Sequence, residues 1–185
     1  MKRHATILQR DKTGLLIIDI QEKINAVMKY REAVIENVVK LVQGFQTLKL
    51  PIVITEQYRK GLGPTEAPIL EALKHYDITE KMCFSCCGEP AFVSRLKNQL
   101  VKQLVICGIE THVCVQQTAL DLMAAGYSVY LVADAISSRK EIDHHTAIDR
   151  MRQQGIIVTT TESVLFELLV ESKTPEFKQI SQIVK

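Results

Sequence analysis

The stretch Leu104-Val-Ile-Cys-Gly-Ile-Glu-Thr-His-Val-Cys114 decides the fold, because it joins a predicted buried strand to a predicted helix. The apolar run before Gly108 is typical of a strand buried on both faces. After Thr111, apolar residues recur with the i, i+4, i+7, i+8 spacing of an amphipathic helix: Val115, Ala119, Leu122 and Met123. We expect Thr111 to be the N-cap of this helix, which would put Cys114 in its first turn.

Cys114 has two interpretations at this position. Free backbone N–H groups and the positive end of the helix dipole would favour a thiolate, which is a nucleophile. The alternative is an inert, buried cysteine, the usual case for a lone cysteine. The segment alone leaves both open.

Along the rest of the chain, short runs rich in Val, Ile and Leu alternate with longer helical patterns, as in βαβ units. The predicted strands are 15–20, 52–55, 78–83, 104–107, 129–133 and 156–160. We therefore predict an α/β fold, a three-layer α/β/α, doubly wound, Rossmann-like domain with a six-stranded parallel sheet. It would be a single domain over 1–185, with its core at about 13–170 and a C-terminal helical tail at 171–185.

The composition excludes several classes of protein. With 185 residues, 46% hydrophobic and 24% charged residues and a net charge of +2, the chain has no basic stripe for nucleic acid. No apolar run approaches the roughly 18 residues that cross a membrane. The first residues lack the apolar core of a secretory signal, and five cysteines without regular spacing fit a reducing compartment. We expect a cytoplasmic protein that binds neither nucleic acid nor membrane.

Three cysteines form a C-x-x-C-C cluster that resembles a metal site: Cys83, Cys86 and Cys87. A structural zinc ion needs about four ligands, and no second Cys/His pair lies at a suitable spacing. We therefore predict that the protein uses no metal.

Polar residues at the strand ends are the candidates for chemistry, because ligands of doubly wound sheets bind beyond the carboxyl ends of the strands. Asp19 ends the first strand, Lys81 lies near the end of the third, and Cys114 follows the fourth. An ammonium group near a thiol lowers its pKa, and a carboxylate can take its proton. Each residue alone could be structural, but their convergence favours catalysis.

Further residues flank these strand ends. Three are expected to line a substrate pocket: Gln21, Tyr58 and Phe84. We expect Asp134, with Ser137 and Ser138, to cap the helix that follows them. His144 and His145 are expected to be solvated on an exposed helix.

At five places the chain resembles the isochorismatase-like cysteine hydrolases, which include nicotinamidases and N-carbamoylsarcosine amidohydrolase. The resemblance spans residues 13–170, and the second segment looks most like the isochorismatase domain-containing proteins. The segments are Leu16-Ile-Ile-Asp-Ile-Gln21, Thr55-Glu-Gln-Tyr-Arg-Lys-Gly-Leu-Gly-Pro-Thr65, Lys81-Met-Cys-Phe-Ser85, Val105-Ile-Cys-Gly-Ile-Glu-Thr-His-Val-Cys114 and Val132-Ala-Asp-Ala-Ile-Ser-Ser138.

The resemblance implies a catalytic triad of Asp19, Lys81 and Cys114. It also implies a cis peptide bond between Ile109 and Glu110, which would turn the backbone amides of Glu110 and Cys114 into an oxyanion hole. It further implies a homo-oligomer, a dimer or larger.

Two departures from the family pattern bear on chemistry. Metal-using nicotinamidases carry an Asp-x-His-x-His-type site after the second strand, whereas this chain reads Glu56-Gln-Tyr-Arg-Lys60, without histidine. Isochorismatase proper lacks the nucleophilic cysteine that this chain has. We therefore expect no cofactor.

The expected function is hydrolysis of a small amide-like carbon–nitrogen substrate through a thioester on Cys114. One alternative is isochorismatase-type hydrolysis of a vinyl ether, with Asp19 as the proton donor. The other alternative is a non-catalytic binding or scaffold protein that retains the fold.

Overall fold

A computed structural model describes residues 3–185, which form one parallel sheet flanked by helices. The strand order is β3-β2-β1-β4-β5-β6, and every neighbouring pair is parallel. The strands are β1 (Thr13–Ile18), β2 (Ile52–Gln57), β3 (Ile78–Lys81), β4 (Gln103–Ile109), β5 (Ser128–Ser137) and β6 (Ile157–Thr159).

The helices connect and cover these strands. They are α1 (Glu22–Asn25), α2 (Arg31–Thr47), α3 (Arg59–Leu62), α4 (Ala67–Ala72), α5 (Pro90–Asn98), α6 (Gln116–Ala124), α7 (Glu141–Gln153), α8 (Thr161–Leu169) and α9 (Phe177–Ile183). A wide helical turn, Thr111–Val115, precedes α6. Within residues 3–185, none of the helices has both the length and the apolar character that crossing a membrane requires.

Alternate residues of β1 enter two separate cores, one on each face of the sheet. Leu15 and Ile17 pack against α2 and α8 on one face. Leu16 and Ile18 pack against α5, α6 and α7 on the other. This is the pattern of strands covered on both faces, and it confirms the predicted three-layer α/β/α architecture.

The sheet places a crevice at the carboxyl ends of β1 and β4. Chain order reverses there, since β1 lies between β2 and β4 and the crossovers on its two sides cover opposite faces. Gly108 in β4 has a φ of 135°, and a Cβ atom at this position would lie 2.2 Å from the backbone oxygen of Ile18. Only glycine therefore lets β4 approach β1 this closely at the edge where the polar residues converge.

Candidate active site

Three strand ends bring a carboxylate, an ammonium group and a thiol into contact. Asp19 follows β1, Lys81 ends β3 and Cys114 lies in the wide turn after β4. The Lys81 Nζ donates to Asp19 Oδ2 at 2.6 Å, and the Cys114 thiol hydrogen-bonds to the Asp19 carboxylate. Their relative exposures are 2%, 1% and 7%, so the cluster is withdrawn from solvent.

Asp19 is the centre of this cluster. Its backbone has a φ of 53°, and its Oδ1 accepts a hydrogen bond of 2.8 Å from the Thr55 hydroxyl. Burial raises the pKa of Asp19, while the Lys81 ammonium and the hydrogen bonds from Thr55 and Cys114 oppose that rise. Asp19 is therefore a carboxylate with a raised affinity for a proton.

Lys81 is held by four acceptors. Besides Asp19, its Nζ donates to Gln57 Oε1 at 2.7 Å and to the backbone oxygens of Cys83 and Phe84, both at 3.2 Å. Burial lowers the pKa of Lys81, but the nearby Asp19 carboxylate and thiols raise it, and the net shift is upward. The side chain is thus a fixed ammonium ion.

Gln57 is a site residue that the sequence did not predict. It ends β2 directly opposite Lys81 in the parallel register, which brings the two side chains together. Pairing of the ends of β2 and β3 was the only signal that could have found it.

The pKa of the Cys114 thiol is raised, which corrects the expectation that it is lowered. Burial raises the pKa of Cys114, the Asp19 carboxylate raises it further, and Lys81 opposes the shift. The lysine directs its N–H groups to Asp19 and to carbonyl oxygens, and its effect on the thiol pKa is smaller than that of the carboxylate. A base must therefore take the thiol proton as the sulfur acts as a nucleophile.

The turn that carries Cys114 is wider than an α-helical turn. The Glu110 carbonyl accepts from the N–H groups of Val113 at 3.0 Å and Val115 at 3.3 Å, the residues on either side of Cys114. The bond from Val115 spans five residues, as in a π-turn. The peptide bond between Ile109 and Glu110 is cis.

Thr111 does not cap this helix, contrary to the sequence prediction. Glu110 occupies the N-cap position, and Thr111 is the first residue of the turn. The Thr111 hydroxyl pairs instead with Nδ1 of His144 at 3.0 Å. The residue thus fixes the turn from the side, through α7.

His144 is buried, and the prediction that it is solvated was wrong. It is 4% exposed, and its ring packs edge-on against Tyr30 at a centroid distance of 5.4 Å. Burial lowers the pKa of His144, and the neighbouring His145 lowers it further. The polar pattern of α7 concealed this burial, because the partner of His144 lies on another element.

Asp134, Ser137 and Ser138 were predicted to cap the helix that follows them. None of the three caps α7. Asp134 Oδ1 accepts from the backbone N and the hydroxyl of Thr161, so it stabilises the start of α8. Ser137 Oγ accepts from a backbone N–H across the sheet edge, and Ser138 Oγ pairs with Nδ1 of His112 at 2.9 Å. These side chains tie β5 to its neighbours.

A cavity of about 130 Å³ opens beside the Cys114 sulfur. Its lining is mostly apolar and includes a few polar groups. The lining residues are Asp19, Ile24, Gln57, Leu62, Phe84, Ile109, Glu110, Val113 and Cys114. This is the arrangement expected of a site for a small organic molecule, in which a few polar groups set the orientation.

Of the three residues predicted to bind substrate, Phe84 lies in the cavity wall. The Gln21 side chain is instead hydrogen-bonded to the backbone of Gln57 and of Gly63. The Tyr58 ring covers Gly61 and is 44% exposed. Gln21 and Tyr58 are thus outside the lining of this cavity, and both side chains shape the loop beside it.

The cysteine cluster lies behind the site. Cys86 is fully buried, its Sγ is 3.8 Å from the Thr55 hydroxyl, and burial raises its pKa to about 12. Cys83 and Cys87 are half-buried. No group of three His, Cys, Asp or Glu side chains in the described part of the chain is arranged to hold a metal ion.

Comparisons with known proteins place these features in a family. Residues 13–163 match the Isochorismatase domain family. The isochorismatase domain-containing protein 1 of Salmo salar is 40% identical over 179 residues, which are 94% of this chain and 61% of that protein. Protein 2 of the same name from Xenopus laevis is 40% identical, over 92% of this chain and 82% of its own. The chain thus spans about three fifths of the salmon relative.

A solved structure shows the same architecture. The MAR1 ribonuclease of Caenorhabditis elegans superimposes with a TM-score of 0.92 and 36% identity, covering 97% of this chain and 92% of its own. Both the match over most of the chain and this superposition lead to one conclusion: the chain belongs to the isochorismatase family and has the hydrolase fold of that family.

Proposed function

We propose that the protein hydrolyses a small amide-like carbon–nitrogen bond through a thioester on Cys114. The observation that carries this proposal is the contact of the Cys114 thiol with the Asp19 carboxylate in the lining of the cavity. A nucleophile, its base and a group that orients the base are the three parts of covalent catalysis. Lys81 is the orienting group, since it donates to Asp19.

The first half of the cycle is acyl transfer. Asp19 takes the Cys114 proton as the sulfur attacks the carbonyl carbon, and the carbonyl electron pair moves to oxygen. When that pair returns, the carbon–nitrogen bond breaks, and Asp19 gives its proton to the leaving nitrogen. In the second half, water loses a proton to Asp19 and attacks the thioester, and the departing sulfur regains the proton.

The raised pKa values suit this sequence of proton transfers. Since burial raises the pKa of Asp19, its carboxylate is a stronger base than an exposed aspartate. The raised pKa of Cys114 means that the proton leaves only as the carbon–sulfur bond forms. The adjacent base is therefore a required part of the mechanism.

The oxyanion would be held by the backbone N–H groups of Glu110 and Cys114. Both residues line the cavity. The Glu110 carbonyl accepts from the N–H groups of Val113 and Val115. The Cys114 N–H does not donate to that carbonyl. A donor of this kind contributes about 3 kcal/mol to transition-state stabilisation.

The experiment is ammonia release from a panel of small amides and ureas. Cys114→Ala should abolish turnover without changing the melting temperature, and Cys87→Ala, a half-buried cysteine outside the cavity lining, should retain it. An aldehyde analogue should give a thiohemiacetal at Cys114 by mass spectrometry. Chelators should leave turnover unchanged, because every step uses protein groups and water.

Other outcomes would favour the alternatives. Hydrolysis of a vinyl ether that persists in Cys114→Ala and is lost in Asp19→Asn would support the vinyl ether alternative, which needs a proton donor but no sulfur nucleophile. Cleavage of RNA, as the name of the C. elegans relative would suggest, would contradict the proposal. Against RNA stand the small volume of the cavity and its two acidic lining residues.

A further inference from the structure

We propose, resting on the proposed function, that the site selects small amides that carry no negative charge and present a compact apolar group. The proposal rests on two observations: the cavity wall is mostly apolar, and the nearby cations are already paired with acids of the protein. The consequence is that a carboxylate-bearing analogue of a substrate, similar in size, is rejected.

The wall around the Cys114 sulfur is apolar on several sides. Four helical or loop segments and the end of β4 contribute it, so apolar surface faces the reacting atom from several sides. The apolar lining residues are Ile24, Leu62, Phe84, Ile109 and Val113. A group bound beside the sulfur would therefore lose most of its water.

The charged lining residues, Asp19 and Glu110, are both acids. The Lys81 ammonium lies next to Asp19 but has only three N–H groups, which four acceptors already share. The other nearby cation, Arg139, donates its Nε to Glu110 Oε2 at 3.0 Å, and its side chain is 62% exposed at the surface. Both cations are thus committed to acids of the protein.

An anionic ligand would meet no compensating charge in this cavity. Transfer of a carboxylate into apolar surroundings is costly unless a cation pairs with it, and Asp19 would add repulsion. A neutral amide loses much less on leaving water. Discrimination therefore comes from an uncompensated charge in the disfavoured ligand, a common source of specificity.

Two alkylating probes separate charge from shape. Iodoacetamide and iodoacetate attack a thiol with the same carbon and have similar sizes, but only iodoacetate is an anion. Mass spectrometry of the Cys114 peptide gives the rate of labelling by each probe. The rate with iodoacetamide is divided by the rate with iodoacetate, and this ratio is compared with the same ratio for glutathione at the same pH. We expect the iodoacetamide preference at Cys114 to exceed that of glutathione at least tenfold.

A gain of charge tests the cause. Leu62 ends α3, is half-buried and lies in the cavity wall, so a longer side chain there can reach the cavity mouth. Leu62→Lys should reduce the excess preference to less than threefold. Leu62→Gln, which is similar in length but uncharged, should keep it.

Two results would overturn the inference. One is a wild-type preference equal to that of glutathione, and the other is the same loss of preference in Leu62→Gln as in Leu62→Lys. If the proposed function were wrong but this inference were right, the experiments would give a different result. The tenfold preference would then persist at Cys114, while no amide or urea of the panel released ammonia.

Discussion

Removal of the Lys81 ammonium should destabilise the fold in a way that depends on pH. Lys81→Met keeps most of the apolar stem of the side chain but leaves the Asp19 carboxylate buried without its cation. It also removes the donor to Gln57 Oε1 and to two backbone oxygens. The effect of this change can be worked out from the burial of the pair, since both side chains are almost completely inaccessible.

The expected loss of unfolding free energy is about 3–5 kcal/mol at pH 8, the usual cost of breaking a buried ion pair by removing one partner. In the variant, burial raises the pKa of Asp19 without opposition from an ammonium group. A carboxyl whose pKa is higher in the folded than in the unfolded state destabilises the fold at high pH and ceases to do so once it is protonated. The gap between wild type and variant should therefore narrow as pH falls from 8 to 5, by at most about 1.4 kcal/mol per pH unit.

Urea denaturation at several pH values measures this gap. The matched control is the double variant Asp19→Asn, Lys81→Met, which removes both charges. At pH 8 the double variant should lose less unfolding free energy than the sum of the losses in Asp19→Asn and Lys81→Met, because neither charge remains unpaired. All three variants should lack turnover.

Two results would refute this reasoning. A Lys81→Met protein as stable as wild type at pH 8 would mean that the ion pair adds nothing to the fold. A gap that does not change with pH would mean that Asp19 is not the group left unpaired. In either case Lys81 would lose its role of holding the base.

Three further predictions follow from single residues. Asp19→Asn removes the carboxylate that raises the Cys114 pKa, so the pH profile of iodoacetamide labelling at Cys114 should move to lower pH although turnover is lost; a shift to higher pH would contradict the assignment. Burial lowers the pKa of His144, so the stability that the buried neutral imidazole contributes is complete above about pH 6.5. That contribution is lost as the pH falls through the lowered pKa of His144 in the folded state. Thermal melts should thus drop more steeply between pH 7 and 5 in wild type than in His144→Gln. Gly108→Ala should cost well over ~1 kcal/mol in urea, because its Cβ meets backbone, whereas Gly126→Ala, which shares a positive φ but has open space, should cost less.

The layers and the meeting of the strand ends could be predicted from the sequence because both depend on simple rules. Apolar runs that alternate with helical patterns predict strands covered on both faces, as the two cores beside β1 show. In parallel strands the carboxyl ends lie at one edge, which is why Asp19, Lys81 and Cys114 were expected together. Neither rule needs the position of a particular side chain.

The details that sequence reasoning missed depend on distances between side chains of different elements. The Cys114 pKa is raised first by burial and then by the Asp19 carboxylate, and both depend on packing between separate elements of the fold. His144 is buried because its partner Thr111 lies on a turn that no helical periodicity describes. Gln57 contacts Lys81 through the register of two strands, 24 residues apart in sequence.

The energetics of the cluster favour catalysis over a purely structural role. A buried ion pair is weak evidence for stability, because a hydrophobic replacement of similar volume is often as stable or more so. The chain nevertheless buries Lys81 and Asp19 as an ion pair beside a thiol whose pKa is raised by burial and by the same carboxylate. A hydrolase that must move one proton from sulfur to nitrogen and another from water to sulfur requires each of the three groups where it lies.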